Sequence, residues 1–135
     1  MKKLVFTLVI ILISTNSLYA AKFNWKKIST DADSASIFYL DKKTVYKVGG
    51  HVYYWMLADY FDDQEVKSSI THNMVRCSTF ENKYISFTSF SEHKGKGNIS
   101  VDAIVPDEAP DMFVWNKFPK NTTHGAVLEE VCRFR

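Results

Sequence analysis

Two cysteines, Cys77 and Cys132, constrain this chain more than any other feature, because they are its only two. Cys77 closes a stretch, 68–77, that alternates like a strand, with Thr71, Asn73, Val75 and Cys77 on one face. Cys132 lies in a C-terminal stretch, 126–133, where Leu128, Val131 and Cys132 follow helical i, i+3, i+4 spacing. Both thiols therefore point where a helix would meet a sheet. A bond between them staples the terminal helix onto the sheet, and such bonds belong to oxidising compartments.

The N-terminus agrees with that compartment. Met1-Lys2-Lys3 precedes an apolar run, 4–13, and a small-residue exit at Leu18-Tyr19-Ala20-Ala21. This is the pattern of a secretory signal peptide. The reading places cleavage after Ala20, giving a leader at 1–20 and one domain at 21–135; cleavage after Ala21 is the alternative. The apolar run is about half of the ~20 residues that a membrane span needs, so the exported protein is expected to have no membrane span. No cysteine lies at the exit, so the leader is not of the lipoprotein kind, and the expected location is the periplasm, the cell surface or the medium.

Removing the leader changes the charge argument. The 17 Lys and Arg exceed the 15 Asp and Glu by two, and Lys2 and Lys3 account for the excess. The exported part is balanced, which gives no bulk attraction to nucleic acid or to anionic membrane. Aromatics make up 15% of the chain, as expected of a packed globule and against disorder.

Along the chain, 22–28 reads as a lead-in that Trp25 and Ile28 dock onto the body. Strands are expected at 35–40 and 44–48, and Gly49-Gly50 then signals a hairpin. The stretch 51–61 is the most apolar of the exported part. Val52, Tyr54, Met56 and Ala58 point one way and Tyr53, Trp55 and Leu57 the other, as in a central strand covered on both sides. Further strands are expected at 68–77, 84–90 and 99–104, with a solvated hairpin tip around Lys94-Gly95-Lys96-Gly97. Pro106, Pro110 and Pro119 mark an extended surface loop anchored by Met112, Phe113, Trp115 and Phe118. Asn121-Thr122-Thr123 supplies capping side chains for the helix.

Order and spacing resemble the surface-adhesin protein E family of bacterial envelope proteins. The matching residues are Tyr39-x-Asp41 with Thr44-Val45, then Gly50-His51-Val52-x-x-Trp55-x-Leu57-x-Asp59-Tyr60. Ser69, the strand ending in Cys77, the Gly95-Lys96-Gly97 tip, Trp115 and the closing Val131-Cys132 complete the set. The resemblance implies an α+β fold: an antiparallel sheet of about six strands with the C-terminal helix tethered to one face by the disulfide. It also implies homodimer formation and, for the namesake adhesin, binding of host extracellular-matrix or serum proteins.

Residues that could carry chemistry are sparse. His51, His72, His93 and His124 are scattered and lack paired metal-ligand spacing. No nucleophile elbow and no carboxylate pair in a recognisable frame is present. The resemblance implies a binding module rather than an enzyme, and no catalytic residue, cofactor or metal is assigned. Tyr53, Trp55 and Tyr60 form an aromatic stripe that is either core or a protein-binding platform. Lys94 and Lys96 at the tip are further protein-binding residues, the tip's other reading being a weak anion cradle. Two other functions stand beside the adhesin-like one: a periplasmic structural or assembly partner without host contact, and an enzyme with an unrecognised site.

Overall fold

The computed structural model describes residues 22–31, 35–63, 65–104, 111 and 113–134. The expected leader, the first two prolines of the loop and Met112 lie outside them. The described chain forms strands β1 (Lys26–Asp31), β2 (Ser36–Leu40), β3 (Tyr46–Val48), β4 (His51–Tyr60), β5 (Ser68–Arg76), β6 (Glu81–Glu92), β7 (Lys96–Ile104) and β8 (Asn116–Lys117). One helix, α1 (Thr123–Cys132), follows them. Every pairing is antiparallel. The main path runs β1-β2-β4-β5-β6-β7. The short strands β3 and β8 extend it, β3 beside β2 along one edge of β4 and β8 beside β7 along the outer edge of β6.

The expected hairpin at Gly49-Gly50 is present: Val48 pairs with His51, and Gly49 adopts φ +59°, which glycine takes without strain. Two segments expected to be irregular are strands. The lead-in continues into β1, which hydrogen-bonds to β2, and 116–117 of the proline-bearing loop pairs with β6.

Alternation along β4 divides the core in two. Val52, Tyr54 and Met56 point toward α1 and pack with Leu40, Val75, Val127, Leu128 and Val131. The three helix residues of that cluster are fully buried, and each such side chain stabilises by about 1.5–3 kcal/mol. Leu57 points to the opposite face and joins Tyr39, Ile70 and Phe90, with Phe23, Trp25 and Trp55 against them. The lead-in thus contributes to both faces, since Ile28 packs on the helix side and Trp25 on the other.

The helix is fixed at both ends. Thr122 caps it by accepting from the Gly125 N–H at 3.0 Å. At its far end Cys132 bonds Cys77, with 5.7 Å between Cα atoms. In between, the Lys42 ammonium reaches Glu130 at 2.7 Å, and its hydrogen bond holds that carboxyl below its ordinary range.

Between helix and sheet runs a buried polar chain. Tyr54 Oη donates to Asn82 Oδ1 at 2.8 Å and lies 3.4 Å from His124 Nε2. Asn82 Nδ2 donates to Asn73 Oδ1, and Asn73 Nδ2 donates to Thr71 Oγ1. Burial pushes His124 down to about 4 and Tyr54 well up, so both stay neutral. A satisfied network of this kind specifies one packing of helix on sheet.

Candidate functional site

α1 lies over β1, β2 and β4 on one face. On the other face, the lead-in and the 93–95 tip cover the region around Leu57, Ile70 and Phe90. The 51–55 end of β4 carries aromatic side chains that stay half-exposed. Tyr46 and Tyr53, opposite each other on β3 and β4, stack at 5.1 Å and 7°. Trp55 and His72, opposite each other on β4 and β5, stack at 4.5 Å and 9°. Tyr53 leans on His72 at 6.1 Å, while Phe23 packs on Trp55 at 5.3 Å and on Trp25 at 4.6 Å. A second stack lies beyond: His51 on Trp115 at 5.6 Å, with the Arg76 guanidinium over that ring at 3.8 Å.

Cross-strand opposition produces this band. Directly opposed residues stand close enough for their rings to touch, and the regular β4–β5 register puts 51, 53 and 55 on the same face as 72, 74 and 76. Burial holds His72 below its ordinary range, so its imidazole is neutral and packs as an aromatic. The Trp25 Nε1 and His72 Nε2 atoms have no hydrogen-bond partner among the described residues. The band thus offers flat apolar surface with polar atoms inside it.

The five expected protein-binding residues separate. Tyr53 and Trp55 lie in the band. Tyr60 does not: its even position turns it to the helix side, where its hydroxyl shares a 2.8 Å hydrogen bond with Ser69. Burial raises its phenol further. Lys94 is held by its own fold, its ammonium 3.4 Å from the Tyr39 ring centre. Lys96 is exposed at the start of β7.

The tip is not a solvated hairpin. Gly95 is buried, the Lys94 N–H donates to the buried Asp59 carboxylate at 2.7 Å, and the Gly95 N–H donates to Ser68 Oγ at 2.9 Å. These N–H groups are turned inward onto the protein's own acceptors and are not free to cradle an anion. Burial raises the Asp59 carboxyl, opposed by that N–H and by the charges of Lys94 and His93.

Sequence reasoning missed His51, His72, Tyr46, Arg76 and Trp115 as members of the band. The signal for His72 was the register of two strands, since it sits opposite Trp55 once 51–60 and 68–76 are paired. Among the described residues no group of three or more His, Cys, Asp or Glu side chains is gathered to hold a metal.

The family model of surface-adhesin protein E matches residues 25–133, and the chain belongs to that family. Solved structures of Haemophilus influenzae protein E share the fold. One crystal form is 12% identical, covering 82% of this chain and 96% of that one, with TM-score 0.55. The selenomethionine form is 11% identical, covering 78% and 85%, with TM-score 0.54. No curated protein matches the sequence. Family and fold make the chain a surface-adhesin-like module.

Proposed function

We propose that the chain is a non-enzymatic protein-binding module of the bacterial envelope, and that its contact surface is the aromatic band on the face opposite α1. In this reading residues 1–20 are a leader removed on export, and 21–135 form the working domain. The observation that carries it is the pair of cross-strand stacks, Tyr46 on Tyr53 and Trp55 on His72, left half-exposed. Stacked rings are already immobilised, so a partner that covers them loses little conformational entropy on binding. The balanced charge of the exported part leaves recognition to apolar contact and local polar groups.

The partner in this reading is a host extracellular-matrix or serum protein, and a second copy of the chain is the other occupant of the same face. A second function, assembly within the periplasm without host contact, is favoured by the lack of a cysteine at the leader exit. Labelling intact cells with a membrane-impermeant amine reagent separates the two. Labelling of the exposed Lys26, Lys27 and Lys96 supports host contact; protection of all three until the outer membrane is breached supports the periplasmic role.

A further inference from the structure

A groove lies away from the aromatic band. Its volume is about 740 Å³, and it runs beside the Cys77–Cys132 bridge, between the 77–80 turn, the 117–120 segment and the end of α1. Its apolar walls are Phe80, Phe118 and Pro119. Lys117, Lys120 and Arg133 line it, against the single carboxylate of Glu129. The excess is local, because the exported part as a whole is balanced.

Lys117 and Lys120 make no ion pair among the described residues, whereas Arg133 is bound to Glu130 at 3.0 Å. The Lys120 ammonium stands 5.6 Å from the centre of the Phe80 ring, so one wall joins a flat apolar surface to a positive charge. Phe80 itself has φ +59°. A bulky side chain is uncommon there, and backbone strain of this sort gathers at functional positions. Its N–H donates to the Arg76 carbonyl and its carbonyl accepts from the Phe118 N–H, which lock the turn in place.

We infer that this groove binds a sulfated polysaccharide, with Lys117 and Lys120 meeting sulfates and Phe80, Phe118 and Pro119 meeting sugar rings. A sulfated glycan carries point anions on a chain of rings with apolar faces, which is the pairing the groove offers. An acidic peptide fits less well. Carboxylates are best held by the bidentate fork of arginine, and the groove's one arginine is already engaged by Glu130. The inference is independent of the aromatic band and of any protein partner.

A fully sulfated heparin hexasaccharide is a direct probe, titrated calorimetrically into the purified exported protein at two salt concentrations. Binding that weakens with salt is expected. The Lys117→Glu/Lys120→Glu double variant should bind at least about tenfold more weakly, since each change removes an attraction and adds a repulsion. The Lys26→Glu/Lys27→Glu variant, with the same change of charge on exposed residues of β1, should bind within about twofold of the parent. Circular dichroism confirms that both variants are folded. Equal losses in the two variants, no loss in the groove variant, or equal displacement of the hexasaccharide by a polyglutamate peptide of matched charge would each overturn the inference.

Discussion

The indole of Trp55 lies flat against the imidazole of His72, 4.5 Å between ring centres and 9° from parallel, on the sheet face that α1 leaves uncovered. Truncating Trp55 removes that stack and the Phe23 contact, but the helix-side core does not touch it. Trp55→Ala should therefore lower stability by about 1–3 kcal/mol, less than the ~3–5 kcal/mol of a fully buried tryptophan. Thermal melting together with solution mass is the check. A folded variant that loses association or partner binding is expected; one that melts early yet associates as before would make Trp55 a core residue only.

The Cys77–Cys132 bond spans 55 positions of sequence. Closing a loop of that size should stabilise by about 4 kcal/mol in the chain-entropy account. The Cys77→Ser/Cys132→Ser variant is expected to lose that amount in urea unfolding. Non-reducing peptide mapping of the exported parent should find the bridge and no free thiol.

His124 makes stability depend on pH with a definite sign. Its folded value is pushed down to about 4 from 6.5 by burial. Between those values the unfolded chain takes up a proton that the folded chain refuses, so stability falls as pH is lowered from about 6.5 to about 4, by roughly 2–4 kcal/mol. Asp59 is raised and acts in the opposite sense, since its contribution is lost as pH rises. Comparing the parent with His124→Gln isolates the histidine: the difference in unfolding free energy between pH 7 and pH 4.5 should shrink in the variant.

Gly125 sits where any side chain would meet the backbone carbonyl of Pro119 and the capping hydroxyl of Thr122. Alanine usually favours a helix over glycine by ~1 kcal/mol. Here the collision is with main chain, and Gly125→Ala should instead destabilise by about 1–3 kcal/mol. Urea titration of the variant decides the sign.

Much of the architecture was legible in the residues. The period-two pattern of 51–60 identified a central strand, though only its helix-side face and the 57–59 end of its other face are buried, and 51, 53 and 55 stay half-exposed. The i, i+3, i+4 stripe of 128–132 aimed Cys132 at Cys77. The spacing alone did not assign Tyr60, whose grouping with Tyr53 and Trp55 ignored its even position on β4. Nor did it show that β1 is a strand, because 26–31 is polar and takes its order from hydrogen bonds to β2. The tip looked solvated because lysine and glycine favour water. The buried Asp59 that draws the Lys94 N–H inward and the Ser68 hydroxyl that accepts the Gly95 N–H lie 35 and 27 residues away in sequence. The aromatic band depends on which residues of neighbouring strands stand opposite, and that is a property of register rather than of local sequence.

Hydroxyl-radical footprinting of the purified exported protein, with and without human serum, tests the aromatic band most directly. The rings of Tyr46, Tyr53, Trp55 and Trp115 should oxidise more slowly when serum is present, while the exposed Phe61, near the tip, keeps its rate. Unchanged rates across those four rings, with protection confined to other surfaces, would contradict the assignment of this face as the site of contact.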